Sequence, residues 1–465
     1  MREKTIIFGA GRFFESNVST IEDKYEILAI ADNNDLLHGK CKCGRLIISP
    51  EEIKNYDYDN VLICMSKPRE VQQQLTEMGI ETINLFVSPG LIYSYGANDI
   101  AREIREKVYP YEKTDVGMHI LFAQINPCTR THKFAELLRK RGIKCSLAYF
   151  GTYSRQMEKA LTYYENVNHF FSYTDFVYYV RNSDYDLVHC SNEPDILVSL
   201  LSGCGRPIVH DCHDFLSLRD DINPEKMALE IIANTKSDGF IYASKYCMNI
   251  AAERYNIDTE RAISIENRPS TDALPQKKLT KLSTMDGELH CVYEGGISNL
   301  PSHFRYFEKQ WMMLASVGIH VHFYTSFNEE YCNYLDSLSE FIHYEGNVDI
   351  YELLEKMTQY DIGLCTFGEQ PNYKLKLDTT SSNKIYEYLA AGLPVAASNH
   401  MFHRNIIEEY SVGKIINWKE DVLKQFIDIS FISIGNNFIK DSKLTMEDQA
   451  DEIIGFYKRT IAHFN

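Results

Sequence analysis

Eighteen residues, Ser381 to Ser398 (SSNKIYEYLAAGLPVAAS), hold the side chains of this chain best suited to chemistry. Ser381, Ser382 and Asn383 are N-capping types, and Tyr386, Leu389 and Ala390 recur at helical spacing until Gly392 ends the helix. A helix start presents unpaired N–H groups and the positive end of the macrodipole, so a diphosphate would sit well at Ser381–Lys384. Glu387 follows one turn later, where a carboxylate can accept two hydrogen bonds from a ribose diol. The chemistry expected is nucleotide-sugar binding. On spacing alone, an amphipathic helix with an exposed Glu fits equally well.

The elements that must position this stretch are strands alternating with helices from end to end, which predicts parallel sheets with right-handed crossovers. TIIFGAG, YEILAIADNN and DNVLICMS give a first unit. GMHILFAQINP, YDLVHCSN, RPIVHDCHDF, DGFIYAS and AISIENRP give a second, and LHCVYEGGIS, IHVHFYTS, FIHYEGNV, DIGLCTF, LPVAASN and GKIIN a third. A charged helix is expected over Asp99–Lys107, and the Lys, Thr, Ser and Pro between Ser270 and Gly287 read as a linker. The division expected is an accessory domain 1–95, a linker 96–116, lobes 117–272 and 287–445 joined by a linker 273–286, and a C-terminal crossover helix 446–465.

At 465 residues the chain has room for about three domains, and 44% hydrophobic residues supply their cores. No run approaches the roughly 18 apolar residues of a membrane span. Met1–Lys4 lead straight into a strand, so no secretory signal is expected. The twelve Cys show no metal-ligand spacing, and Cys41-Lys42-Cys43 is too tight for the usual zinc or redox pairs. Reduced thiols and a cytoplasmic location are the expectation, with no metal site. A net charge of −17 argues against nucleic acid as the partner. Lys133, Arg139, Lys140, Arg141 and Lys144 are a local basic cluster: a solvated helix face, or a peripheral contact with an anionic membrane face.

NEP at Asn192–Pro194 with PIVHDCHD, then IENRP, YEGGIS and NKIYEYLAAGLPV, in this order and spacing, resemble the GT-B glycosyltransferases, family 4 most closely. The resemblance covers about Gly117–Asn465. It implies an α/β GT-B fold, two Rossmann-like lobes, here preceded by a small Rossmann-like accessory domain. It also implies transfer of a sugar from a nucleoside-diphosphate donor on the second lobe to an acceptor hydroxyl at the first, with retention, no metal and no cofactor beyond the donor. Glycan, lipid-linked and protein acceptors all stay open, as does a homodimer.

Carried over, the family pattern puts Glu387 on the donor ribose, the start of the helix at Ser381, Ser382 and Asn383 near the diphosphate, and Gly295 and Gly296 at the glycine turn of the donor lobe. Without side chains there, backbone can approach a phosphate closely. His213 matches a histidine facing the cleft, with His210 as the alternative; strand alternation sends the two to opposite faces. A structural histidine is an equal alternative.

The departures matter. Thr379, with Asp378 beside it, stands where the family commonly has a Glu eight residues before the ribose Glu. SNLPSH replaces the usual Arg and Lys clamp after the glycines, leaving Arg305, Lys374, Lys376 and Lys384 as replacement cations, Lys384 and Arg305 foremost. Asn192 stands for a His and can still hydrogen-bond a donor hydroxyl, so the catalytic set expected is His213, Asn192 and Lys384.

In the first unit, Gly9 and Gly11 of GAGRFF follow a strand, and Asp32 ends the next strand 21 residues after Gly11. That is most of a dinucleotide fingerprint, but Phe14 replaces its third glycine and would hinder close helix–strand approach. The expectation is an accessory module for docking, dimerisation or nucleotide sensing. Two rival functions remain: a nucleotide-sugar oxidoreductase or epimerase working through Gly9, Gly11 and Asp32, and a non-catalytic glycosyltransferase-like subunit.

Overall fold

The computed structural model describes residues 2–65, 68–80, 82–88, 91–94, 117–151, 160–192, 195–219, 223–368 and 373–464. The expected helix Asp99–Lys107, the linker 96–116 and Glu193–Pro194 lie outside them. The chain forms two compact units, residues 1–189 with 203–206, and residues 190–202 with 207–465.

In the first unit, β-branched and other apolar residues build β1 (Glu3–Phe8), β2 (Tyr25–Ala31), β3 (Cys41–Lys42), β4 (Arg45–Ile48), β5 (Asn60–Ile63), β6 (Ile83–Ser88) and β7 (Leu91–Ser94), in the order β3-β4-β2-β1-β5-β6-β7. The four central pairings are parallel; the β3/β4 and β6/β7 edges are antiparallel, a departure from the all-parallel expectation. Both faces of this sheet are buried, one around Ile6, Phe8 and Val61, the other around Ile7, Phe14 and Leu62. The same unit holds β8 (His119–Gln124), β9 (Lys144–Tyr149) and β10 (Val167–His169), with β9 parallel to both of the others. β11 (Leu187–Ser191) follows.

In the second unit, β12 (Ile208–Cys212), β13 (Gly239–Tyr242) and β14 (Ala262–Ser264) pair in parallel. A separate six-stranded sheet contains β15 (Leu289–Glu294), β16 (Ile319–Tyr324), β17 (Ile342–Tyr344), β18 (Ile362–Cys365), β19 (Val395–Ala397) and β20 (Gly413–Ile415), all parallel, in the order β17-β16-β15-β18-β19-β20. Alternate residues feed two cores: Cys291, Tyr293, Val321 and Phe323 pack with Trp311 on one face, and Val292, Tyr324, Val395 and Ala397 pack with Leu389 on the other.

The C-terminal helix Ala450–Phe464 lies against β13, since a Cβ on Gly239 would stand 2.7 Å from the Phe456 ring. Just before it, Gln449 exchanges hydrogen bonds with the backbone of Glu266, and Met446 N donates to Pro269 O. The chain thus returns from the six-stranded sheet to the β12–β14 region. Among the described residues, no helix is long and apolar enough to cross a membrane.

Candidate functional site

The predicted helix runs from Asn383 to Ala390 with Ser382 as N-cap, whose hydroxyl makes no capping hydrogen bond. Its first-turn N–H groups therefore keep the outward direction that suits an anion. The segment before it is pinned to the β12–β14 region: Ser244 Oγ donates to Thr379 O at 2.8 Å, Thr380 Oγ1 to Asp214 Oδ1 at 3.1 Å, and Asn267 N to Ser381 Oγ at 3.3 Å. One turn into the helix, Tyr386 OH donates to Glu266 Oε2 at 2.6 Å, while Arg268 holds the same carboxylate at 2.9 Å and lies over the Tyr386 ring.

Glu387 is 2% exposed, which excludes the exposed-Glu alternative. Asn383 Nδ2 donates to both of its carboxylate oxygens, at 3.2 and 3.3 Å, an i,i+4 contact that aims the carboxylate. The following residue, Tyr388, anchors the helix beneath the sheet: its OH receives Glu294 N at 3.1 Å and donates to Leu364 O at 3.2 Å.

After β15 the backbone turns through Gly295, at φ 111°, a conformation that favours glycine. Two cations converge there. A Cβ on Gly295 would lie 2.9 Å from Lys384 Nζ, and one on Gly296 would lie 2.8 Å from Arg305 Nη1. Burial works against the charge on Lys384, but Glu294 together with Tyr293 and Cys365 outweighs it and holds the amine above its ordinary value, so the group is an ammonium. Arg305 stacks on Phe304, and its Nε is buried with no hydrogen-bond partner among the described residues. The glycine turn, the helix start, the Glu387 carboxylate and two cations thus come together in one sheet-end cluster, the arrangement an anionic nucleotide needs.

Of the other two cations, Lys374 bonds Asp378 at 2.6 Å, and Lys376 stands over the Phe304 ring that Arg305 also covers, and over Tyr373. Asp378 accepts from Met401 N at 2.8 Å, so it holds the start of the helix Met401–Tyr410. Burial would raise its carboxyl, but Lys374 and the Met401 N–H keep it below its ordinary value. Thr379 is buried with its hydroxyl on Lys376 O at 2.8 Å.

Asn192 is 1% exposed, its Nδ2 donates to Asp214 O at 2.6 Å and its Oδ1 accepts from His213 N at 3.0 Å. Both ends of the amide brace the turn after β12. His213 is the partly exposed histidine of its pair, its Nε2 held by Asp211 Oδ2 at 3.0 Å, whereas His210 is fully buried 3.8 Å from Asp195. Asp214, the residue after His213, is the one that receives Thr380.

In the first domain, Gly9 turns at φ 113°, where a Cβ would meet Cys64 O at 2.8 Å. Asp32 spends its carboxylate on Ala10 N at 2.7 Å and Asn34 N at 2.9 Å, so it closes its own loop, and the helix after Gly11 is only Arg12–Glu15. Phe14, which stands in place of the third glycine, is fully buried beside Ile7 and Ile21. Within the basic cluster, Arg139 pairs with Glu165 at 3.2 Å and Lys140 with Glu136 at 3.0 Å, while Arg141 and Lys144 are exposed.

Glu266, Asp214 and Ser244 were missed as site-forming residues. Glu266 and Asp214 stood inside quoted motifs, IENRP and HDCHDF, but their partners lie more than a hundred residues away.

Residues 1–85 match the family model C2185-like, N-terminal; residues 129–267 match Glycosyltransferase Family 4, and residues 307–431 match Glucosyltransferase 3-like, C-terminal domain. No curated protein matches the chain. Among solved structures it is similar to a glycosyltransferase from Rickettsia africae ESF-5 (13% identity, 74% of this chain and 99% of that one, TM-score 0.55). It is also similar to sucrose-phosphate synthase from Thermosynechococcus elongatus (12%, 74% and 100%, 0.54). A third is Anabaena Alr3699/HepE in complex with UDP (15%, 74% and 99%, 0.51). At such identities the likeness is one of fold, and that fold is GT-B. With glycosyltransferase segments matched in chain order across it, the chain is a family 4-like GT-B glycosyltransferase.

Proposed function

We propose that the chain transfers a sugar from a uridine diphosphate donor to an acceptor hydroxyl, with retention at the anomeric carbon and no metal in the transfer step. The observation that carries this is the convergence of Lys384 and Arg305 on the Gly295–Gly296 turn, with Glu387 one turn inside the helix. The complexes of the Anabaena neighbour with UDP, with UDP and glucose, and with UDP-glucose favour uridine as the base.

In this reading the diphosphate lies between the helix start and the glycine turn, and Glu387 takes the ribose diol. The acceptor hydroxyl approaches on the face from which the nucleotide departs: its bond to the anomeric carbon forms as the sugar–phosphate bond breaks, and its proton passes to the departing phosphate oxygen. Lys384 and Arg305 stabilise the charge on that oxygen, where one preorganised donor contributes about 3 kcal/mol. His213, fixed by Asp211 and Asn192, hydrogen-bonds the donor sugar or its phosphate. Surface glycan or protein glycosylation is the process proposed.

The test is thermal unfolding with UDP, GDP, ADP, CMP and NAD, on wild type and Glu387→Ala. UDP at 100 times its dissociation constant adds about 2.7 kcal/mol, a clear shift that the variant loses. Unchanged affinity of Glu387→Ala for every nucleotide would sink the assignment. A response to NAD alone, indifferent to Glu387, would move nucleotide binding to the first domain.

A further inference from the structure

Away from the glycine turn, the six-stranded sheet carries imidazoles that the transfer does not use. β15 and β16 pair with His290 opposite His320, and β16 and β17 pair with His322 opposite His343. Side chains alternate along a strand and partners share a face, so all four rings lie on one side of the sheet. They stack: His290 on His320 at 4.4 Å between centroids and 7° between planes, His322 on His343 at 4.4 Å and 22°. His290 and His322 are 4% and 6% exposed, at positions where a parallel sheet ordinarily holds Val, Ile or Leu.

Their contacts form a row between two carboxylates. Asp286 Oδ2 faces His290 Nε2 at 3.0 Å, His290 Nδ1 faces His322 Nε2 at 2.9 Å, and His322 Nδ1 faces Glu345 Oε1 at 2.7 Å. Three such contacts require three protons, and two neutral imidazoles carry two. The row calls for one more positive charge. A metal ion supplies that charge without protonating a buried ring.

We propose that His290, His320 and His322 bind one divalent transition-metal ion of the zinc class. One ligand nitrogen from each lies within 4.8 Å of the others, and His320 forms a second such group with Asp286 and Glu288. Zinc–nitrogen bonds of about 2.0–2.1 Å place two nitrogens of a tetrahedral site roughly 3.3 Å apart, so the 2.9 Å His290–His322 contact opens by only a few tenths of an ångström. Asp286, Glu288 and Glu345 stand behind the rings as the carboxylates that orient ligating imidazoles. Imidazole nitrogens suit Zn²⁺ and disfavour Mg²⁺. The role is structural. His290 lies four residues before Glu294 on β15, about 13 Å at 3.3 Å per residue, so the ion holds the far end of the sheet to the turn at Asp286–Glu288.

The experiment is calorimetric titration of the full chain, stripped by chelator, with Zn²⁺ alone and with Mg²⁺ alone, then absorption spectroscopy with Co²⁺. One Zn²⁺ per chain, no Mg²⁺ and the intense absorption of four-coordinate Co²⁺ are expected. His320→Ala weakens Zn²⁺ binding by more than about 100-fold, and Asp286→Asn, at an exposed carboxylate, by about tenfold. Absence of stoichiometric Zn²⁺ on wild type overturns the proposal and leaves a row of imidazoles sharing a proton. So does equal binding by wild type and both variants, which puts the ion elsewhere; should His320→Ala fail to fold, Asp286→Asn alone decides.

Discussion

Lys384 Nζ stands 2.9 Å from the point where a side chain on Gly295 would begin. The positive φ at 295 favours glycine, and the missing Cβ leaves the ammonium facing bare backbone. Gly295→Ala must strain a positive φ and displace Lys384. We expect a loss of about 1–3 kcal/mol in urea unfolding and a larger proportional loss of UDP affinity by calorimetry. Wild-type UDP affinity in the variant would show that the ammonium does not act there.

Arg305→Ala removes the second cation from the turn. Turnover with a UDP-sugar is expected to fall about 10²–10³-fold with an unchanged circular dichroism spectrum. Arg305→Lys recovers only part of the loss, because a point charge on a flexible stem lacks the planar fork that reaches past Phe304. Full recovery by Lys would refute the fork argument.

Tyr386→Phe deletes the hydroxyl that reaches Glu266 and leaves the Arg268–Glu266 pair in place. Destabilisation of about 1 kcal/mol is expected, and the double variant with Glu266→Gln should be less destabilised than the sum of the singles. Strict additivity would mean the bond carries no coupling.

Asp378 gives a pH dependence. Its folded carboxyl lies below the ordinary value, so its stabilisation is fully present above the unfolded value near 4 and is lost as pH falls through the folded value. Asp378→Asn should lower stability at pH 7 and flatten the acid side of the stability curve below about pH 4, read by thermal unfolding from pH 3 to pH 7. A parallel offset at every pH would remove Asp378 from that slope.

The periodicity of short apolar runs was enough to identify β1, β2, β5, β8 and every strand from β11 to β20, because parallel strands buried on both faces read as continuous hydrophobic segments. β4, β6, β7, β9 and β10 did not stand out, being short or flanked by charged residues such as Lys144 in KCSLAY. At the candidate site, local spacing and residue chemistry point to Glu387, Lys384 and Arg305, and the fold places Lys384 and Arg305 beside the glycine turn. What the Asn192 amide touches is not legible from a motif position; only the fold brings His213 N and Asp214 O to it. The histidine row was equally out of reach: IHVHFY shows two rings on one strand face, but His290 and His343 join them through register alone.

Tyr388 fills the space beside Gly363, where a Cβ would intrude to 2.2 Å of its ring. The helix is therefore keyed like a rod in a slot, and Lys384, Glu387 and the helix start turn together or not at all. A lineage altering its donor preference cannot retune these three separately by rotating the rod. Innovation is channelled to the loops that frame it, and Gly363 becomes a position at which drift is forbidden.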